Sequence, residues 1–398
     1  MLSPMATDPR REALSALADT GLRLARGTTS ARLALAGLRD VVDPATLSPG
    51  IRGRAVEELE RAHAEATQEL SFEEVEKALG DAWGEPSRTV LDDLDPEPVA
   101  RTPTAQVHRG VHEGADVAVK VLRPGLPEQV RSDLDLLETL IRPLGAVFPS
   151  MAAGLLLREI RERILDELDL EHEASTQRAF ARALRRHEQL FVPAPVSALC
   201  HERVLVSAWV DGTPVGKLTD PEERAAAARA LVLFHVGSAR FGTVHADPHP
   251  VDAMRMADGR FAFLDFGAAR QVSATRVDEG LVVLDALLAQ DADTLGASLE
   301  LLGWLPAEVG ATALVVGRDI LSDCLDGPSR MDASALVETG KRTTAHADAL
   351  WPLAQVASVP PEDLWPLRML GALAALLARL DVEEDWPALF GQAARNGW

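Results

Sequence analysis

Lys120 stands on the run Val117-Ala118-Val119-Lys120-Val121, and far downstream the chain reads His245-Ala246-Asp247-Pro248-His249-Pro250 and then Asp265-Phe266-Gly267. A strand lysine, an aspartate in a short rigid loop and a second aspartate before a Phe-Gly pair, in that order, are the charges that phosphoryl transfer assembles. Such chemistry needs charge neutralisation and alignment more than covalent help. The lysine is the more telling because the chain avoids lysine: of 40 basic residues only Lys77, Lys120, Lys217 and Lys341 are lysines. Where a generic positive charge suffices, this sequence almost always writes arginine. A compact ammonium reaches between two phosphates as a point charge, whereas a planar guanidinium needs more room. Asp265 is then the expected ligand of a Mg²⁺ or Mn²⁺ ion, a hard cation that wants hard oxygens. Asp247 is expected to accept a hydrogen bond from the attacking hydroxyl or water and hold it in line. His245 orients that loop, and His249, between two prolines, is read as structural.

These groups must be positioned by a small mixed unit and a larger helical one. Period-two patterning predicts strands over Gln106–Val111 and Asp116–Leu122, joined at His112-Glu113-Gly114-Ala115. In the second strand Val117, Val119 and Val121 share one face and leave Ala118 and Lys120 on the other, where a small neighbour gives a ligand room beside the ammonium. Between Leu155 and His187 the residues Leu156, Ile160, Ile164 and Leu168 recur every four positions, predicting an amphipathic helix whose acids are Asp166, Glu167, Asp169, Glu171 and Glu173. A carboxylate from such a helix is needed to aim the lysine; Glu167 is the first choice and Glu173 the second. The strand Arg203–Trp209, closed by Asp211-Gly212-Thr213-Pro214, is the expected hinge, with a nucleotide base against Ala208 and Trp209. After it come a helix from Pro221 to about Phe241, a hairpin turning at Asp258-Gly259, and the strand Phe261–Leu264 leading into Asp265. The remainder reads as helical, with turns near Gly327-Pro328, Val359-Pro360-Pro361 and Trp386-Pro387. Three divisions follow: a helical extension over 1–90, with a turn-rich acidic link from Asp81 to Pro98, a small lobe with inserted helices over 91–210, and a helical lobe over 211–398.

The bulk numbers exclude several alternatives. Hydrophobic content of 47 % and charge of 25 % are those of an ordinary globular protein. A formal net charge of −21 disfavours nucleic acid, which needs a basic surface, and docking on anionic lipid. It leaves other peripheral membrane contact and the oligomeric state open. Cys200 and Cys324 share no metal-type spacing and suit a reducing cytoplasm. The opening residues lack the apolar core of a secretory signal, and the run Leu367 to Leu380 contains Arg368 and Arg379 and is too short to span a bilayer.

Together these motifs resemble the UbiB family of atypical kinase-like proteins, also called the AarF-domain family. The resemblance runs from about Leu91 to Gly267, more weakly to Asp385, and rests on Thr104-Ala105-Gln106-Val107-His108-Arg109, Val117 to Val121 with Arg123-Pro124-Gly125, Glu167-Leu168-Asp169 with Glu173-Ala174, His245 to Pro250, and Leu264 to Gly267. It implies an α+β, bilobal protein-kinase-like fold, ATP binding with Mg²⁺, ATPase or lipid-directed phosphotransferase activity, and a link to isoprenoid quinone biosynthesis. On that pattern Ala100, Gln106, Ala118, Ala208 and Trp209 join Lys120 around the nucleotide, and Asp252 joins Asp265 at the metal. The chain departs from the pattern in three places. No lysine precedes Lys77, so the Lys-x-Gly-Gln motif of the helical extension has no counterpart. The alanine-rich loop that ends in serine is here Ala100-Arg101-Thr102-Pro103, where proline removes an N–H donor. The glycine and asparagine after the His-x-Asp-Pro-His-Pro loop are Val251 and Asp252, which adds a negative charge beside the phosphates. Two readings follow: a working ATPase or phosphotransferase, or a pseudokinase that keeps the shape as a nucleotide-gated binding protein.

Overall fold

The computed structural model describes residues 67–126 and 168–398, with 57, 60, 61, 63–65 and 130. Most of the expected helical extension, the stripe Leu156, Ile160 and Ile164, and Glu167 lie outside the described residues. Ser71 and Glu74 close a capping box at the start of α1 (Phe72–Trp83), and Gly84, at φ 74°, ends it. The helix lays Val75 and Leu79 on an apolar layer with Val117, Val119, Val121, Val204 and Val206. After the single turn α2 (Ser87–Val90) come β1 (Asp93–Arg101), β2 (Ala105–His112) and β3 (Ala115–Leu122), which with β5 (Val204–Ala208) form an antiparallel sheet in the order β1-β2-β3-β5. The hairpin between β2 and β3 turns through Glu113 and Gly114, both at positive φ, as a two-residue type I′ turn requires.

The acidic link was expected to be turn-rich, and the structure corrects this: Asp93–Arg101 is a strand containing Pro96 and Pro98. Proline is tolerated because β1 is the sheet edge, and the register shifts on both sides of Pro98.

Asp169, expected on the polar face of a continuous helix, is instead the N-cap of α3 (Leu170–Ala183), its side chain accepting from the N–H groups of Glu171 and His172. Within α3, Glu173, Gln177 and Phe180 are buried along one face. That face ties the small lobe to the large core. The second sheet, β4-β9-β8-β6, is built from β4 (Leu190–Phe191), β6 (Gly212–Pro214), β8 (Ala253–Met256) and β9 (Phe261–Phe263). Gly212 is required there, since a Cβ would stand 2.8 Å from the Arg255 carbonyl oxygen.

Between β6 and β8 runs α4 (Pro221–Gly237), buried on most sides through Ala227, Leu231, Val232 and Phe234. Gly242, at φ 87°, turns the chain into β7 (Thr243–His245), which pairs antiparallel with β10 (Ala269–Gln271). Helices complete the large lobe: α5 (Ala274–Ala289), α6 (Ala292–Leu301), α7 (Gly310–Ile320), α8 (Ser322–Leu325), α9 (Ala333–Ala345), α10 (Ala347–Val356), α11 (Pro361–Leu380) and α12 (Trp386–Asn396). A short pair, β11 (Ser329–Met331) with β12 (Val382–Glu384), interrupts them. Trp386-Pro387, expected to turn, opens α12 instead, because Asp385 caps it and proline suits the first helical turn.

Candidate functional site

β3 delivers Lys120 and α3 delivers its partner. The Lys120 Nζ donates to Glu173 Oε1 and Oε2 at 2.9 Å each and to Asp265 Oδ2 at 3.1 Å. Among the described residues the helix partner is Glu173, the second choice from sequence; Glu167, the first, lies outside them, and the cap at Asp169 opens the helix that carries Glu173 to the ammonium. Asp265 is reached because Phe266, fully buried, packs its ring 5.1 Å from Phe180 and 5.3 Å from His245. Burying that ring contributes about 1.5–3 kcal/mol. Asp265 Oδ1 accepts from Gly267 N at 3.1 Å, and the Phe266 N–H points at Glu173 Oε1 at 3.4 Å.

The electrostatics follow from burial opposed by pairing. Burial lowers the pKa of the Lys120 ammonium, but Asp265 and Glu173 outweigh it and raise the value well above normal, so Lys120 stays charged. Burial raises the Glu173 carboxyl, and Lys120 only partly offsets it. Burial also pushes Asp265 up, but Lys120, the Gly267 N–H and His245 win and hold it at about 2. Asp265 is therefore an ionised carboxylate with 40 % of its side chain exposed, ready to meet a cation.

The loop after β7 holds the remaining groups. His245 Nε2 contacts the Asp265 carbonyl oxygen, and the His245 carbonyl lies 3.1 Å from His235 Nδ1 on α4. His245 thus fixes the two acidic segments against each other, as expected. His235, buried beside it, is pushed well below the usual histidine range by desolvation and by His245. Asp247 is half-buried, and its Oδ1 accepts from Arg368 Nη2 of α11 at 2.9 Å. Asp252 lies against His249, 3.6 Å from Nδ1, and its carbonyl accepts from Leu264 N. Burial first and the Asp265 charge second push the Asp252 carboxyl up to about 7, against His249 and Lys120. Two carboxylates that repel each other this strongly are what a divalent cation relieves. Among the described residues no group of three or more candidate ligands gathers, at this site or any other. Mg²⁺ needs only one or two carboxylates beside phosphates and water. Asp265 and Asp252 therefore fit such an ion, which would screen phosphate charge.

The expected nucleotide contacts fare unevenly. Ala118 lies on the Lys120 face, opposite Arg109 and Ser207. Ala100, exposed at the end of β1, stands opposite Val107, the cross-strand neighbour of Lys120. Trp209 borders the hinge with its ring under the Arg109 guanidinium at 4.9 Å and its indole N–H on Asp211. Gln106 does not face the cleft: it pairs with Val121 in register, which puts it on the opposite face of the sheet. There it accepts from Leu70 N at 2.9 Å and reaches Leu70 O and His108 Nε2. Ala208 likewise shares the Val117 face, and its N–H is spent on Ala194 O at 3.0 Å, which removes it as a donor to a base. The β1–β2 turn is closed on itself, with Thr102 exchanging hydrogen bonds with Ala105 and Arg123 Nε donating to Thr102 O.

The reassignment of Gln106 has a testable consequence. Gln106→Ala strips partners from both polar groups of Leu70, a change costing about 1–3 kcal/mol. Hydrogen exchange speeds up over residues 67–71 while Mg-ATP affinity stays within about twofold, less than the tenfold that 1.4 kcal/mol would give.

A small antiparallel lobe contributing the lysine and a large helical lobe contributing the acidic loops, with Glu173 and Asp265 meeting at the ammonium, define a bilobal α+β kinase-like fold. The ABC1 atypical kinase-like domain model matches residues 63–299, and the chain belongs to that family. It is 27 % identical over 297 residues to an uncharacterized aarF domain-containing protein kinase of Arabidopsis thaliana, covering 71 % of this chain and 54 % of the relative. It is 34 % identical over 183 residues to a probable protein kinase UbiB of Aeromonas salmonicida, covering 43 % of this chain and 33 % of the relative. The chain spans about half or less of the length of these relatives. A solved structure of Rv3197 from Mycobacterium tuberculosis, in complex with erythromycin, shares the fold with a TM-score of 0.68 at 23 % identity, covering 96 % of this chain and 97 % of that one. No helix among the described residues is long and apolar enough to cross a membrane.

Proposed function

We propose that this chain binds ATP with Mg²⁺ or Mn²⁺ in the cleft between its lobes and hydrolyses it or transfers its terminal phosphoryl group. The observation that carries this reading is the contact of Lys120 with Asp265, with Asp247 two residues from the His245 that contacts the Asp265 carbonyl, and Asp252 bonded through its carbonyl to Leu264, the residue before Asp265. Lys120 would hold the phosphates, Asp265 and Asp252 the metal, and Asp247 the attacking oxygen. Water or a hydroxyl-bearing lipid or small metabolite is the proposed acceptor, isoprenoid quinone precursors being the class that the family resemblance suggests. The proposed setting is cytoplasmic, which two unpaired thiols suit.

The closed β1–β2 turn and the negative charge of Asp252 favour a second reading, a nucleotide-gated binding protein without turnover. ATP hydrolysis by the wild type with Mg²⁺ and with Mn²⁺, set against Asp247→Asn, separates the two. The enzyme reading expects a loss of about 10²–10⁴-fold on removing the carboxylate; equal rates in the two proteins reject it.

A further inference from the structure

Arg368 was seen in the sequence only as an interruption of an apolar run, yet it is the side chain that meets Asp247. It is carried by α11, beyond the stretch of residues 63–299 that the family model matches. Its place is built rather than incidental. Five residues earlier Asp363, buried on the same helix, accepts from Arg276 Nε of α5 at 2.8 Å and from Trp304 Nε1 at 2.6 Å. Trp365, also buried, lies under the Arg368 guanidinium, whose carbon is 5.4 Å from the ring centroid, and Arg270 of β10 stands 5.9 Å from the same ring. Those contacts seat α11 and lay the guanidinium over Trp365, while the Arg368 side chain remains 41 % exposed beside an Asp247 side chain that is 38 % exposed.

The charges explain why a cation belongs here. Lys120 is shared between Glu173 and Asp265 at the inner end of the site. The outer end of the site presents Asp247 and Asp252, two acids where a phosphoryl group must pass. We propose that Arg368 is a phosphoryl-binding residue supplied in cis from α11, restraining Asp247 before nucleotide arrives and then stabilising charge on the group being transferred. The inference rests on the phosphoryl-transfer reading of the cleft. In the step it serves, the acceptor oxygen forms a bond to the terminal phosphorus and the bond from that phosphorus to its bridging oxygen breaks, its electron pair leaving on ADP. The acceptor proton passes to Asp247. As the carboxylate is neutralised its hold on Arg368 weakens, and the guanidinium fork turns to the equatorial phosphoryl oxygens, whose planar spacing it matches.

The test compares wild type, Arg368→Gln and Arg368→Lys, all carrying an exposed head group whose loss leaves the core intact. Binding of Mg-ADP stays within about twofold in each, below the tenfold that 1.4 kcal/mol would give. Turnover of saturating Mg-ATP falls about 10³-fold in Arg368→Gln, the low end for an arginine acting on a transferring phosphoryl group, with KM little changed. Arg368→Lys, which keeps the charge but not the fork, recovers part of the loss. Aluminium fluoride added to Mg-ADP mimics the transferring group, so it raises the melting temperature of wild type further and that of Arg368→Gln no further. Wild-type kcat in Arg368→Gln, or an equal fluoride increment in both proteins, overturns the proposal. A wild type without turnover sinks the phosphoryl-transfer reading itself, and the fluoride increment still decides on Arg368.

Discussion

Lys120→Met lowers the melting temperature by about 10 °C and abolishes stabilisation by Mg-ATP, and adding Glu173→Leu restores most of the stability but none of the nucleotide response. The pair is deep: 14 % of the Lys120 side chain and 3 % of that of Glu173 are exposed. Removing Lys120 strands the buried Glu173, at a cost of about 3–5 kcal/mol, whereas replacing both with apolar groups removes that cost and leaves only the more exposed Asp265 without its ammonium. At about 2–4 °C per kcal/mol for a domain of 150–250 residues, the single change is worth roughly 10 °C. Glu173 sets the pH dependence. Its folded pKa is already raised, so its protonated form is favoured in the fold; that contribution is present at low pH and lost as pH rises through the folded value. Without Lys120 the carboxyl moves higher still, and the single variant is weakest against wild type at alkaline pH. Thermal unfolding of the three proteins with and without Mg-ATP, over a pH series, gives the answer. A double variant no more stable than Lys120→Met would show that the ion pair is not what fails. Lys120→Arg keeps the charge and is still expected to lose the Mg-ATP response, because the ammonium sits between two carboxylates at 2.9 and 3.1 Å and a fork does not fit that gap.

The acidic end of the candidate site was legible because its residues are neighbours in sequence or sit on a strand. Alternation places Lys120 and Ala118 on one face of β3 and the valines on the other, and the register agrees. The same logic, carried one strand further, would have moved Gln106 off the Lys120 face, since opposite residues in an antiparallel pair share a face and Gln106 is opposite Val121. The helix acid was harder to choose. Four-residue spacing runs smoothly through Leu168, and only the N-cap geometry of Asp169 shows that a new helix begins there and turns Glu173 inward. An Asp preceding Leu-Glu-His-Glu carries that signal, but a capping aspartate and a face aspartate are written alike. The edge strand β1 was hidden by its prolines, which punctuate loops far more often than edges. Arg368 was out of reach, because 121 residues separate it from Asp247 and no local pattern ties them. The packing of α11, through its buried face of Met369, Leu373 and Leu377 and through Asp363 on Arg276, brings them together.

Asp252→Asn is expected to reverse a pH dependence. The carboxyl is raised from an ordinary 3.8 to about 7 by burial and by Asp265. The sign of its linkage is that of a raised group: its stabilising contribution is complete below about pH 4, is lost as pH climbs, and is gone above about pH 7. An asparagine cannot ionise. At pH 8 the variant is therefore more stable than wild type in the absence of metal, and the gap closes toward pH 5. Metal inverts the order. A divalent cation between Asp252 and Asp265 needs both ionised, so with Mn²⁺ at pH 8 the wild type gains more than the variant, having two carboxylates to offer rather than one. Below pH 7 protons compete with the ion for Asp252, and wild-type Mn²⁺ affinity falls by about tenfold per pH unit, with close to one proton released per ion bound. In Asp252→Asn that slope and that proton are absent, because Asp265, held at about 2, stays ionised throughout. Calorimetric titration of Mn²⁺ at pH 6 and pH 8, in buffers of contrasting ionisation enthalpy, measures both quantities. A wild-type affinity that does not change between the two pH values would place the ion elsewhere, and with it the proposed roles of both aspartates.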